Sequence, residues 1–247
     1  MNIYAIGDLH LSGDPPAKPM EIFGPHWQDH AAKVAANWRQ LVSPDDTVII
    51  CGDTSWAMDL TGALPDLNWI SALPGHKILL RGNHDYWWSS LKKMQTATEN
   101  KFSFLQNNFY TCGSTAIWGS RGWLLPSSDN FSADDAAIYR REGLRLEASL
   151  AAARQAGYSE IIAALHYPPL YDAANESVFA DLLERYGVSH CVFGHIHGSD
   201  AGMVFEGVRN GITYKLVSCD TQAFTPQLVK QTAKKGFPCQ KNFLQQH

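Results

Sequence analysis

No stretch of this chain stays apolar for the roughly 18 residues that a bilayer crossing needs, so no membrane span is expected. The N-terminus, Met1-Asn2-Ile3-Tyr4-Ala5-Ile6, lacks the basic region and cleavage pattern of a signal peptide. The five cysteines (Cys51, Cys112, Cys191, Cys219, Cys239) are scattered and form no C-x-x-C pair. Cys51 and Cys191 lie in apolar strand-like runs, which suits reduced core thiols in a cytoplasmic protein better than a disulfide framework. Net positive charge is absent too. At −4 with histidines neutral, the chain has no global field to draw in a polyanion, and a nucleic-acid partner is not favoured. There is no internal repeat and no linker, so residues 1–247 read as one domain, with about 225–247 as a peripheral, polar tail (Lys230, Lys234, Lys235, Lys241) that frays or lies on the surface. What is present is a 45% hydrophobic content, ample for one large core, and ten histidines against twenty Lys and Arg. The histidine count directs attention to metals or proton chemistry.

Along the chain, β-like runs alternate with helical spacing. Residues 3–6 are a short strand; a Pro-rich loop follows; Ala31, Val34, Ala35, Trp38 and Leu41 predict a helix over 27–42. Thr47–Cys51 and Lys77–Leu80 are buried strands flanking a second helical stretch that closes at Leu73-Pro74-Gly75. Phe102–Leu105, Phe109–Cys112 and Thr115–Trp118 are short strands of a meander or hairpins. A long helix is predicted over 135–155, with Ile138, Leu144, Leu146 and Leu150 as its apolar positions and Gly157 near its stop. Ile161–Leu165 and Val188–Phe193 are strands, and Val204–Val208 with Ile212–Val217 form a hairpin turning at Asn210-Gly211. This alternation implies βαβ units and a parallel sheet, hence an α/β fold.

Five apolar runs stop at metal-competent side chains: Asp8 and His10, Asp53, Asn83 and His84, His166, then His195 and His197. One such residue is an ordinary turn former or cap. Five on one sheet edge, where open α/β sheets place ligands, point to a metal centre. His195 and His197, two apart on extended backbone, share a face and can reach one ion. Two carboxylates, an amide oxygen and four imidazoles suit Mn, Fe, Zn, Co or Ni rather than Mg or Ca. Seven donors are too many for one tetrahedral ion and natural for two ions sharing Asp53. Two dications ~3.7 Å apart repel by ~18 kcal/mol at an effective dielectric near 20, so bridging anions are required. Asp8, Asp53 and a hydroxide leave about one positive charge of four, which favours a phosphate and in-line displacement at phosphorus.

Gly7-Asp8-Leu9-His10, Gly52-Asp53, Gly82-Asn83-His84-Asp85, His166 and Gly194-His195-Ile196-His197 together resemble the calcineurin-like metallophosphoesterase family, in the family's order. The resemblance implies a four-layer αββα sandwich, two mixed sheets flanked by helices, with the site at the carboxyl ends of the strands. It also implies that Asp8, His10 and His197 hold a first metal and Asn83, His166 and His195 a second, Asp53 bridging. His84 would then serve as general acid for the leaving group with Asp85 orienting its ring, although a helix-capping role for His84 stays open. The runs Gly52-Asp53-Thr54-Ser55-Trp56-Ala57-Met58, Tyr86-Trp87-Trp88 and Gly119-Ser120-Arg121-Gly122-Trp123 are similar to a bacterial branch of predicted phosphohydrolases. The expected partner is a small phosphorylated substrate. A nuclease or nucleotide pyrophosphatase on the same ions is the alternative, and a non-catalytic metal-binding module a further one.

Several neighbours have two readings. Trp56, Tyr86, Trp87 and Trp88 either stack a substrate ring or pack the core. Arg121, in a Gly-rich turn, either reaches a phosphate or is a surface arginine. His26 and Trp27, at the end of the Pro-rich loop, are candidates for a lid. Arg140, Arg141 and Arg145 read as a solvated helix face.

Overall fold

The structure, a computed structural model, describes residues 1–231 and 240–242. Its strands are β1 (Asn2–Ile6), β2 (Thr47–Ile50), β3 (His76–Leu80), β4 (Ser103–Leu105), β5 (Phe109–Cys112), β6 (Thr115–Ser120), β7 (Glu160–Leu165), β8 (His190–Phe193), β9 (Gly207–Arg209), β10 (Ile212–Leu216), β11 (Gln227–Gln231) and β12 (Gln240–Asn242). The helices are α1 (His30–Leu41), α2 (Leu60–Ser71), α3 (Leu91–Ala97), α4 (Ala133–Gln155) and α5 (Val178–Arg185). One sheet runs β11-β1-β2-β3-β4 and the other β12-β5-β6-β7-β8-β10-β9.

Period-two burial explains the layering. Tyr4, Ile6, Val48, Ile50 and Leu79 pack outward against Val34, Trp38, Leu67 and Ile70 of α1 and α2. Their neighbours Ile3, Ala5, Ile49, Cys51 and Ile78 point the other way, into a core shared with Ile117, Ile162 and Val192 of the second sheet and Leu146, Leu150, Phe179 and Leu183 of α4 and α5. Both faces of each sheet are therefore covered, which is the expected αββα sandwich of two mixed sheets.

Four readings need correction. Phe102–Leu105 is no part of a meander with β5 and β6: β4 pairs in parallel with β3 in the first sheet, while β5 and β6 form the hairpin of the second. Leu144 is 68% exposed, because the buried stripe of α4 runs through Gly143, Leu146, Leu150 and Ala153. Val204 and Phe205 lie outside the hairpin, whose strands turn at Asn210 (φ 51°) and Gly211 (φ 80°) as expected. Lys230, taken as the start of a frayed or surface tail, sits in the edge strand β11 against β1 and pairs with Glu160; Lys234 and Lys235 fall outside the described residues. Among the described residues, no helix is long and apolar enough to cross a membrane.

Candidate metal centre

β1, β2 and β3 are parallel, as are β6, β7, β8 and β10, so their carboxyl ends open on common edges. The two edges are sewn together. Gly7 N donates to the Val217 carbonyl at 2.7 Å and Cys219 N to the Gly7 carbonyl at 3.0 Å, linking the end of β1 to that of β10. Asp8 N and His10 N donate to the carbonyls of Gly52 and Asp53, both at 2.9 Å, and Gly194 N to that of His166 at 3.1 Å. These crossed bonds draw the loops after separate strands into one cluster.

The backbone at this cluster is bent out of ordinary regions. Asp8 (φ 59°), His10 (φ 46°), Asp53 (φ 49°) and His195 (φ 75°) are all left-handed. Such residues cost roughly 1–3 kcal/mol each and persist where surrounding structure holds them. Close approach is the second requirement. A Cβ on Gly82 would lie 2.0 Å from Asp53 Oδ1, and one on Gly194 would lie 2.4 Å from Asp8 Oδ2. Only glycine lets those chains pass the carboxylates.

The side chains converge in two groups that can each hold an ion: Asp8, His10 and His197, and Asp8, Asp53 and His166, with ligand atoms within 4.8 Å of one another in each. His10 Nε2 lies 3.3 Å from His197 Nε2 and 3.9 Å from Asp53 Oδ2. His166 Nε2 lies 3.6 Å from Asp53 Oδ1. Asn83 Oδ1 is 2.6 Å from His166 Nε2 and 3.0 Å from His195 Nδ1. All seven sequence-predicted donors thus stand at one place.

Two observations test whether these residues suit cations. Burial pushes the His166 imidazole down to about 3, leaving it one ring proton. Yet two acceptors face it, the Cys51 carbonyl at Nδ1 (2.9 Å) and Asn83 Oδ1 at Nε2. One contact is therefore lone pair against lone pair, and a cation beside Nε2 and the amide oxygen relieves it. Secondly, burial, reinforced by Asp53 and opposed by His197, raises the Asp8 carboxyl to about 8, and burial raises Asp53 as well. Two buried acids that share the single cationic neighbour His197 cannot both ionise cheaply. The donor set fits divalent metal ions on both counts.

Sequence reading missed Asp220. His197 Nδ1–H donates to its Oδ1 at 2.9 Å and Gly198 N to its Oδ2 at 2.9 Å. That bond fixes the tautomer, leaving Nε2 facing the cluster. Burial works to lower His197, but Asp220 and Asp8 outweigh it and raise the imidazole to about 9. The signal was available: Asp220 follows β10 as Asp53 follows β2.

His84 is half-buried, with its ring 4.5 Å from that of Trp56 and 5.9 Å from that of His10. The expectation that Asp85 orients this ring is not met. Fully buried, Asp85 accepts from Thr54 N, Gly82 N and Trp87 Nε1, each at 2.8 Å, and from Ser55 N at 3.3 Å. It ties the loop after β2 to the loop after β3. His84 joins that tie through its backbone, its N–H donating to Asp53 Oδ1 at 2.8 Å.

The aromatics divide. Trp87 is core. Trp56 stacks on His10 at 4.7 Å and, with Trp27, Phe23, His26 and Met20, lines a cavity of about 330 Å³ that opens onto His10, His84 and His197. Trp27 is a buried wall of it rather than a loose lid. Arg121 is half-buried and stacked 4.3 Å over Trp123; burial raises the Asp53 carboxyl, and the Arg121 charge is among the lesser influences opposing that rise.

The calcineurin-like phosphoesterase model matches residues 1–199. The chain belongs to that family. Asp220 lies beyond the matched region. Among solved structures, the phosphopantetheinyl hydrolase PptH from Mycobacterium tuberculosis is similar over 95% of this chain and 98% of its own, at 16% identity and a TM-score of 0.55. The Aquifex aeolicus protein AQ665, of unknown function, is similar over 92% and 95%, at 15% identity and a TM-score of 0.52. Both likenesses are of fold. Gene 66 protein of Mycobacterium phage L5 is 37% identical over 84 residues, which is 34% of this chain and 40% of that protein. The phage D29 protein of the same name is 34% identical over 84 residues, again 40% of its length. The chain thus spans well under half of these curated relatives.

Proposed function

We propose that this chain is a metal-dependent phosphoric ester hydrolase working on a binuclear centre, with Asp8, His10 and His197 at one ion, Asn83, His166 and His195 at the other, and Asp53 between. The observation that carries the reading is the convergence of seven donors, four of them left-handed at backbone cost, around an imidazole, that of His166, with one proton for two acceptors. When bound, two divalent ions supply Lewis-acid charge to the phosphoryl oxygens and activation of water for in-line attack.

The chain's own residues do the rest. Asp220 holds His197 in the tautomer whose Nε2 faces the centre. Asp85 fixes the two loops that carry Asp53 and Asn83. His84 stands at the mouth of the aromatic cavity and delivers a proton or hydrogen bond to the departing oxygen. Trp56 and Trp27 exclude water beside it and give an apolar or aromatic leaving group a wall to rest on. Small phosphate esters suit this cavity of about 330 Å³ better than a polymer does.

The test is hydrolysis of an aryl phosphate by the Mn²⁺-loaded protein, alongside Asp53→Ala and His166→Ala. Turnover should vanish in both while the fold survives; near-normal rates in either would refute the reading.

A further inference from the structure

Between the residue that follows β3, the ends of β4 and β6, and α4 lies a second cavity of about 310 Å³, which shares no lining residue with the aromatic cavity. Four arginines line it: Arg81, Arg121, Arg141 and Arg145. Among the described residues Glu142 is its sole acidic lining residue, so three of their positive charges remain uncompensated, in a chain whose net charge is −4. The arginines are held rather than dangling. Glu142, 3% exposed, takes a hydrogen bond from Arg145 Nη1 at 2.7 Å, sits 3.8 Å from Arg141 Nε, and accepts from the Ser120 hydroxyl at 2.9 Å. Its oxygens are thereby committed to α4 and β6. Arg81 and Arg121 have no ion pair among the described residues, and Arg81 Nε is buried without a hydrogen-bond partner.

Partly desolvated guanidinium groups without an ion pair, lining one cavity and repelling each other, are costly unless an anion joins them. Their forked donors match a phosphate. Position says which phosphate. Arg81 directly precedes Gly82-Asn83-His84, and the Arg121 carbonyl accepts from His166 N at 3.2 Å. The cavity therefore shares its supporting backbone with two of the candidate ligands. It is large enough for one or two phosphate groups, and it is no extended basic track of the kind that follows a nucleic-acid backbone.

The geometry points to a subsite for a second phosphate group of the small substrate, whose ester is cut at the neighbouring centre. The substrate class is accordingly a phosphate ester that carries a further phosphate, and this assignment rests on the hydrolase reading above.

The experiment uses the full-length, Mn²⁺-loaded protein, an Arg141→Gln/Arg145→Gln double variant and, separately, Arg81→Gln. The side chains of Arg141 and Arg145 are 54% and 47% exposed, but both stand beside buried Glu142, so thermal unfolding of the double variant is measured alongside and Arg81→Gln, which leaves Glu142 its partners, serves as the independent variant. The first readout is kcat/KM for an aryl monophosphate against a panel of aryl and nucleoside bisphosphates. The wild type should favour at least one bisphosphate by about tenfold, the worth of one charge-assisted contact, and the variants should erase that preference. A preference absent across the panel, or one surviving both variants, overturns the subsite. The second readout is the number of inorganic phosphate ions bound, by calorimetry, which needs no turnover. Two in the wild type and one in the double variant support the subsite, and equal numbers overturn it. If no compound is hydrolysed, the hydrolase reading fails while phosphate stoichiometry still decides the arginine site. Micromolar binding of single-stranded RNA, lost in the same variants, would overturn the small-substrate assignment.

Discussion

His84 and Asp85 are adjacent in sequence and separate in duty. Asp85 spends its lone pairs on three backbone N–H groups and one indole, while the His84 ring turns toward the cavity and leans on Trp56. His84→Ala should therefore keep its metals and lose turnover by about 10²–10⁴-fold, most for poor leaving groups. Metal loss in that variant, seen by elemental analysis, would make His84 a ligand instead. Gly82 carries a sharper constraint. A methyl there would sit 2.0 Å from Asp53 Oδ1 and 2.3 Å from Asp53 N, atoms that cannot retreat without moving β2's end. Gly82→Ala should cost the protein its metals even if it folds; a Mn²⁺ titration matching wild type would contradict this.

Strand ends are the elements that matter, and their legibility was uneven. β1, β2, β3, β7 and β8 were readable because each is a short apolar run stopped by Asp, Asn or His, and burial on both faces demands such runs. Their gathering into two sheets was not readable from periodicity, since alternation tells inward from outward without naming the partner strand. β4 shows this: Phe102–Leu105 had a strand's composition, yet its parallel pairing with β3 is a long-range choice. Asp220 escaped for a related reason. Ile212–Val217 was recognised by its Asn-Gly turn as a hairpin partner of β9, which hid its parallel pairing with β8 and the placement of its end at the site. Asp220→Asn tests that element. Removing the charge that stabilises the imidazole's alignment should weaken metal binding by about 10–100-fold with the fold intact. Unchanged affinity would reduce Asp220 to a loop tie.

At the scale of the whole molecule, the buried acids and histidines make metal loading a protonation problem. Asp8 is raised to about 8 chiefly by burial, and His197 to about 9 against burial by Asp220 and Asp8. Both must shed protons before they can ligate, so the sign is fixed: affinity rises with pH up to about 9 and flattens above it. Mn²⁺ titrations across that range should release protons on binding, by as many as two per chain from this pair, and a pH-independent affinity would contradict it. The most direct measurement is metal stoichiometry. Elemental analysis of the Mn²⁺-loaded protein should find two ions per chain, falling to at most one in Asp53→Ala. One ion or none in the wild type, or two retained without Asp53, would contradict a binuclear centre built from these strand ends.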